Sequence, residues 1–275
     1  MTPIRFSLVL CVAGFGCAQS DPPTSEATTV EAVTATCAAT VDYNADPLNC
    51  GVCGNVCASG LCYWGVCADD RAGHIFVIGN SYRKSNPSWD RVLGNAVFLR
   101  ESAKVNVVVY RGTTAADINT GTSNAISRAA SILHRVVVKT GITNSAAVQT
   151  SLPTADVFVV EGQPQLDDTA LGALADEWSL PLDDFTRGGG VVIVLDAPSA
   201  KNHGTQQVLG QLMSMTRAAD VGTLGSVSAA TDQAVGRVPL TFALADSVGY
   251  TSPSGFVDAA TTDSGAAVVV HRSVD

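Results

Sequence analysis

The sequences VFVVEGQ at residues 157–163 and GGGVVIVLDAP at residues 188–198 decide the fold. Each contains a short run of mostly β-branched residues without polar alternation, followed by glycine, proline or acidic residues. Strands buried on both faces of a parallel sheet have this pattern, because helices cover both faces. The runs IFVI at 75–78 and VNVVVY at 105–110 have the same character. These four runs predict neighbouring strands of a parallel sheet.

Amphipathic patterns separate the four runs. Apolar residues at helical spacing predict helices, with Ser88 as the N-cap of the first and a glycine of 188–190 as a C-cap. The predicted helices cover residues 89–99, 124–134, 168–178, 182–187 and 206–215. Strand–helix alternation predicts an α/β domain over residues 72–275, with a flavodoxin-like, doubly wound and mostly parallel sheet.

Three weaker apolar runs predict additional strands. They lie at residues 136–138, 238–244 and 266–271. The last run stands almost at the end of the chain, which favours a strand at the edge of the sheet.

The first 17 residues have the features of an export signal. Arg5 precedes an apolar run, Phe6–Gly16, that is too short to span a hydrocarbon core about 30 Å thick. The run ends at Cys17, and this boundary resembles a bacterial lipoprotein signal, which implies a lipid on Cys17. Gly14 stands where that pattern prefers leucine, and cleavage after Ala18 is the alternative, since Gly16 and Ala18 form a small-x-small site.

The segment 18–36 is rich in Thr, Ser, Ala, Pro and acidic residues and has no aromatic residue, so it is interpreted as a flexible tether. The chain has a net charge of −9 and a pI of about 4.8, without a basic run, which argues against a nucleic-acid partner. We therefore expect an exported protein of the cell envelope, held at the outer membrane by its lipid.

Six cysteines follow the signal within a short segment. An even, dense set in an exported chain indicates disulfides rather than zinc, since the cluster contains no histidine. Spacing does not choose among fifteen possible pairings. The cysteines are Cys37, Cys50, Cys53, Cys57, Cys62 and Cys67, and they define a disulfide-rich module over residues 37–68.

The module sequence DPLNCGVCGNVCASGLCYWGVC at 46–67 resembles a Cys-Gly-rich repeat of secreted and outer-surface bacterial proteins. The resemblance implies surface display and carries no chemistry. A module of this size depends on its disulfides, because its core is small.

Polar residues follow the predicted strands of the α/β domain. Ligands of open α/β sheets bind at the carboxyl ends of the strands, so these residues form a candidate pocket. They are Asn80, Ser81, Arg111, Glu161, Gln163, Asp196 and His203. Ordinary turn and capping chemistry is the alternative explanation for each of them taken alone.

The sequences LPTADVFVVEGQ at 152–163 and LDDFTRGGGVVIVLDAP at 182–198 resemble the class I glutamine amidotransferase-like superfamily, most closely its trehalose-utilisation-type branch. The resemblance implies the same α/β fold. Amidotransferases of that superfamily use a Cys–His pair, whereas residues 72–275 contain no cysteine. Amidotransferase chemistry is therefore excluded.

The sequence IFVIGNSY at 75–82 resembles the opening block of SGNH-type esterases. That resemblance implies Ser81 as a nucleophile acting on an ester or glycan, with a histidine as its base. The family's Asp-x-x-His block is missing, and His203 or His271 would have to replace it.

Four scattered histidines give no metal-ligand spacing, and no phosphate-binding loop occurs, so no metal or cofactor is expected. The sequence favours a surface protein with a non-catalytic binding or envelope-structural role. An extracellular serine hydrolase acting through Ser81 and His203 is the alternative.

Overall fold

The computed structural model describes residues 41–43, 46, 48–57, 62–63, 65–67, 72–100, 102, 104–219, 221–251 and 255–274. The predicted signal peptide, Cys17, the tether 18–36 and Cys37 lie outside these residues. None of the described helices is both long and apolar enough to cross a membrane.

Thirteen strands and four α-helices occur in the described residues. The strands are β1 Cys62–Tyr63, β2 Val66–Cys67, β3 Gly73–Ile78, β4 Lys104–Tyr110, β5 Val136–Ile142, β6 Val157–Val160, β7 Val191–Leu195, β8 Thr216–Arg217, β9 Leu224–Val227, β10 Thr241–Ala243, β11 Tyr250–Thr251, β12 Val257–Thr262 and β13 Ala267–Val274. The helices are α1 Pro87–Val97, α2 Ala116–Ile132, α3 Ala147–Ser151 and α4 Asp168–Arg187. Three 3-10 helices cover Leu152–Thr154, Thr205–Leu212 and Gln233–Val235.

Five adjacent strands form a parallel block in the order β5-β4-β6-β7-β3. Strands β13, β12, β9 and β10 extend the sheet beyond β3 with antiparallel pairing. This confirms a mixed α/β fold with a parallel-rich central sheet. Strand β3, which precedes β4 along the chain, occupies the end of this block next to β13.

The predicted edge position of the last apolar run is wrong. Strand β13 pairs with β3 on one side and with β12 on the other, so it lies inside the sheet. Its residues Ala267–His271 are buried, because the sheet continues beyond them in both directions.

Helices cover both faces of the parallel block. On one face Phe76 and Ile78 of β3 pack into the same cluster as Trp89 and Leu93 of α1. On the other face Ile75 belongs to the cluster of Trp178 and Leu182 of α4. Successive side chains of a strand point to opposite faces, so both faces of β3, β6 and β7 are buried. This two-sided burial explains the continuous apolar runs of the sequence.

Two helix starts differ from the predictions. Helix α1 begins at Pro87, and its N-cap is Asn86, whose Oδ1 accepts a hydrogen bond from the amide of Ser88 at 2.9 Å. Ser88 therefore lies inside the helix rather than capping it. Helix α2 begins at Ala116, whereas the predicted helix begins at residue 124. The first two turns of α2 are rich in polar residues, so the apolar pattern that placed the predicted helix does not extend to them.

The predicted helices 168–178 and 182–187 are one helix, α4, which continues through Pro181. Trp178 and Leu182, which lie on either side of Pro181, are both buried. Their packing stabilises the helix although the proline has no amide hydrogen to donate. The predicted C-cap is found at Gly188. The predicted helix 206–215 is instead a 3-10 segment, Thr205–Leu212, interrupted at Gly210, where φ is +50°.

Disulfides hold the cysteine module. Cys50 and Cys62 form a disulfide with each other, with 5.4 Å between their Cα atoms. Cys53 and Cys57 each take part in a disulfide as well. The prediction of disulfides is confirmed for these four cysteines. Among the described residues, one group of side chains lies close enough together to hold a metal ion, namely Cys50, Cys57 and Cys62. All three are disulfide-bonded, so they offer no thiolate to a metal.

Candidate functional site

The sheet brings the predicted strand-end residues to one edge. Asn80 and Ser81 follow β3, Glu161 follows β6 and Asp196 follows β7, and each is at most 2% exposed. Arg111 follows β4 and is half-buried. The reversal of strand order falls between β4 and β6, because the chain passes from β4 outward to β5 and then back to β6. Arg111 and Glu161 therefore flank the point where ligands bind in open α/β sheets.

The Asp196 carboxylate is fully buried and accepts four hydrogen bonds. Its Oδ1 accepts from the amides of Ala197 and Thr205, both at 2.9 Å. Its Oδ2 accepts from Arg217 Nη2 and from the Tyr250 hydroxyl, both at 2.8 Å. Four donors occupy the lone pairs of a carboxylate. Asp196 is therefore a structural anchor between β7, the Thr205–Leu212 segment, β8 and β11.

Gln163 also serves as a structural connection. Its Nε2 donates to the carbonyl oxygens of Arg111 at 3.0 Å and Glu161 at 2.9 Å, and to Thr114 Oγ1 at 2.8 Å. Its Oε1 accepts from the amide of Thr113 at 2.9 Å. The side chain thus fixes the loop between β4 and α2 against the end of β6.

Ser81 is fully buried, and its hydroxyl group has a local hydrogen-bond partner. Its Oγ accepts from the amide of Arg83 at 3.3 Å. Its neighbour Asn80 donates to the carbonyl oxygen of Ala245 at 2.8 Å and accepts from the amide of Tyr82 at 2.8 Å. Within the described residues, neither His203 nor His271 forms a hydrogen bond with Ser81, so the two components of the predicted hydrolase site are not paired.

His203 instead pairs with Asp168 at the start of α4. His203 Nδ1 lies 2.6 Å from Asp168 Oδ2, and the histidine side chain is 84% exposed. Hydrogen bonds from the Gln207 side chain, the largest contribution, and from the His203 amide lower the pKa of Asp168 to about 2. Sequence reasoning missed this pair, because its members are 35 positions apart and neither lies in a recognisable motif.

His271 lies within β13, not at a strand end, and belongs to a buried chain of polar groups. Its Nδ1 lies 2.8 Å from Asp232 Oδ2, and its Nε2 lies 2.9 Å from His74 Nδ1. The three residues join β13, the 3-10 helix Gln233–Val235 and β3. Nothing in the sequence pattern marks Asp232 as the partner of His271, since 39 positions separate them.

Glu161 carries a buried carboxyl group with an unusual pKa. Asn119 Nδ2 donates to Oε1 at 3.0 Å and lies 3.2 Å from Oε2. Burial raises the pKa of Glu161 to about 7, while the Asn119 hydrogen bond and the positive charge of Arg111 oppose the shift. The group therefore exchanges a proton near neutral pH, where it can act as either hydrogen-bond donor or acceptor.

A separate cleft of about 470 Å³ lies near the amino end of β6. Leu152, Pro153, Leu180 and Phe185 supply much of its lining, and Asp184 is its one charged residue. The strand-end residues are not among those that line it, so this cleft is distinct from the candidate pocket.

No protein-family model and no curated protein matches the chain. Among solved structures it is similar to a peptidase from an acI-B1 Actinobacterium, with a TM-score of 0.31 and 8% sequence identity. The likeness covers 46% of this chain and 55% of that chain, so the protein spans about half the length of the peptidase. A similarity this weak carries no argument about function.

Proposed function

We propose that the protein is an exported envelope protein, anchored through a lipid on Cys17, whose α/β domain binds a ligand rather than catalysing a reaction. The proposal joins the export features of residues 1–17 to the geometry of the strand-end residues. Disulfides in the module support the exported location, because such bonds persist in oxidising compartments.

The environment of Ser81 carries the non-catalytic part of the proposal. A serine hydroxyl is a weak nucleophile and requires a base within hydrogen-bond reach. Ser81 is fully buried and accepts from the Arg83 amide, while His203 pairs with Asp168 and His271 pairs with Asp232. Each histidine is thus oriented by a carboxylate that lies away from the serine.

The strand-end network supports a binding role. Asp196 and Gln163 hold the loops that follow β4 and β7 in fixed positions. Fixed loops favour binding, because less conformational entropy is lost when a ligand arrives. Arg111 and Glu161 follow β4 and β6 at the same edge of the sheet.

We further propose that the α/β domain is a relative of the amidotransferase-like superfamily that lacks its catalytic cysteine. The strand–helix–strand unit β6-α4-β7 covers the sequence that carries the resemblance. A crystal structure of a member of that superfamily with the β5-β4-β6-β7-β3 strand order would support this descent, whereas a consistently different order would oppose it.

A serine-reactive fluorophosphonate probe tests the absence of serine catalysis. We expect no labelling of the wild-type protein, and the same result for Ser81→Ala and for the control Ser151→Ala at the end of α3. Labelling of the wild type and of Ser151→Ala that disappears in Ser81→Ala would establish the hydrolase alternative.

Mass spectrometry of the mature N-terminus tests the anchor. We expect an acylated Cys17 as the first residue, and release of a Cys17→Ser variant from the membrane fraction. A mature chain that begins at Gln19 without a lipid would contradict the proposal.

A further inference from the structure

A chain of three buried polar side chains crosses the pairing of β3 with β13. His74 on β3 is 1% exposed, His271 on β13 is 5% exposed, and Asp232 is the N-cap of the 3-10 helix Gln233–Val235. Phe76 stacks on His271, with 4.2 Å between the ring centroids. Strand β13 links the parallel block to the antiparallel strands β12, β9 and β10. The three side chains therefore lie at the joint between the two parts of the sheet.

The contacts determine where the protons of this chain lie. An ionised carboxylate only accepts hydrogen bonds. Asp232 Oδ1 accepts from the amide of Ala234 at 2.8 Å, and Oδ2 lies 2.8 Å from His271 Nδ1, so His271 Nδ1 carries a proton. On the other side of the ring, His271 Nε2 lies 2.9 Å from His74 Nδ1. A hydrogen bond between two ring nitrogens needs one proton, which one imidazole donates and the other accepts.

This geometry limits the positive charge that the two imidazoles can hold. When both are neutral, His74 Nδ1–H donates to His271 Nε2. One added proton leaves this hydrogen bond in place, because a charged His271 donates from Nε2 to a neutral His74, and a charged His74 donates from Nδ1 to a neutral His271. A second added proton would place two N–H groups face to face across 2.9 Å. The buried pair thus accepts one proton and excludes the second.

We propose that His74, His271 and Asp232 form an acid-sensitive switch at the joint. The joint is closed while the two imidazoles share one proton, and acid favours its opening, because the imidazoles bind a second proton once they separate. Free imidazoles change charge within about pH 5 to 8, so the switch operates at mildly acidic pH. The inference goes beyond the proposed binding role, and it depends on neither Ser81 nor Cys17.

Arginines make up most of the other charge around the joint, and β7 carries no charged residue. The charged side chains of the surrounding elements are Asp90 and Arg91 on α1, Arg100 after α1, Arg237 after the 3-10 helix, Asp258 on β12 and Arg272 on β13. The arginines stay charged throughout this pH range, and Asp90 pairs with an arginine of α2. Asp258 lies opposite Val270, the neighbour of His271, so its side chain points to the other face of the sheet. Asp232 is therefore the acid that faces the imidazoles from these elements.

His74→Gln tests the switch, because it removes one titrating group and keeps a hydrogen-bonding one. The glutamine amide donates to a neutral His271 or accepts from a charged one, so the folded variant excludes no proton. Urea unfolding of the full chain at about pH 6 and pH 5 makes the comparison. Over this unit, the unfolding equilibrium constant of the wild type should rise about fivefold to tenfold more than that of His74→Gln, because the unfolded wild type binds one extra proton. The control His134→Gln, at an exposed position, should behave as the wild type does.

NMR counts the protons of the pair directly. The full chain without a histidine tag contains four histidines, and imidazole ¹⁵N shifts distinguish neutral from charged rings. At about pH 5 we expect one charged and one neutral ring at His74 and His271, whereas the exposed His134 should be charged. In His74→Gln, which also assigns the signals, the remaining His271 should be charged.

Three results would overturn the inference. Two charged rings at His74 and His271 in the folded wild type at about pH 5 would show that the pair holds both protons. Two neutral rings would show that burial alone, and not the shared proton, excludes charge. Equal pH dependence of unfolding in the wild type and His74→Gln would show that no proton is excluded. The wild-type spectrum decides the matter even where the variant does not fold.

Discussion

Arg217 donates through Nη2 to Asp196 Oδ2 at 2.8 Å, and the same nitrogen donates to the carbonyl oxygen of Ala197 at 2.9 Å. The Asp196 side chain is fully buried, and that of Arg217 is 14% exposed. The ion pair ties the carboxyl end of β7 to β8, a short strand outside the parallel block. A buried carboxylate at a strand end thus has a structural role at the position where the sequence predicted a pocket.

Replacing Arg217 by methionine should destabilise the fold by about 3–5 kcal/mol, because the Asp196 carboxylate would remain buried without its counter-ion. The free energy of unfolding in urea measures the loss. Arg187→Met is the matched control, because Arg187 pairs with Asp183 on the surface of α4 and exposed pairs contribute little to stability. Similar losses of unfolding free energy in both variants would show that the buried Asp196 carboxylate does not need Arg217 as its counter-ion.

Glu161→Gln should flatten the pH dependence of stability. The pKa of Glu161 rises from 4.5 to about 7 on folding, so between these values the folded state holds more protons than the unfolded state. Stability therefore falls as the pH rises from about 4.5 to 7 and stays lower above that range. At about 1.4 kcal/mol per pKa unit, the whole effect is at most about 3 to 4 kcal/mol.

The variant should be more stable than the wild type at about pH 8, since glutamine keeps an acceptor for Asn119 without burying a charge. Urea unfolding at a series of pH values provides the comparison, with the exposed Glu177→Gln as the control. A wild-type stability that rises between about pH 5 and 7 more steeply than that of Glu161→Gln would contradict the assignment.

The two histidine–carboxylate pairs should respond differently to removal of the imidazole. The side chains of His271 and Asp232 are each 7% exposed, so His271→Leu leaves Oδ2 of the buried Asp232 carboxylate without its imidazole partner. We expect a loss of about 2–3 kcal/mol. His203→Leu breaks a pair whose histidine is 84% exposed, and the expected loss of stability is much smaller, because exposed pairs contribute little. Thermal unfolding of both variants at one pH would reveal the contrast, and equal losses would argue against a buried pair at Asp232.

Free-thiol counting tests the Cys50–Cys62 bond. Cys50→Ser should release one thiol that reacts with a thiol reagent in denaturant, because Cys62 loses its partner. The double variant Cys50→Ser, Cys62→Ser should contain none. Two unpaired thiols in the double variant would show that the bond joins other cysteines.

The central strands were predictable from the sequence, and their surroundings were not. The runs at Val157–Val160 and Val191–Leu195 form β6 and β7, since two-sided burial leaves a continuous apolar signature. Strands β9 and β12 lacked such a signature, because Ser, Thr and Gly occupy many of their positions. The strand-end residues Asn80, Glu161 and Asp196 could be named from the sequence, because each follows an apolar run. Their partners, such as Arg217 for Asp196, could not, because a contact across 21 positions leaves no periodic pattern.

Strand β13 affects the timing of assembly. It pairs with β3 from Val274 opposite Gly73 to Val269 opposite Ile78, so two strands that are far apart along the chain are neighbours in the sheet. The unit of β12, β9 and β10 joins the parallel block through β13. A nascent chain that has not yet delivered residues 267–274 therefore exposes the open flank of β3, and this side of β3 completes its hydrogen-bond ladder only when that segment arrives.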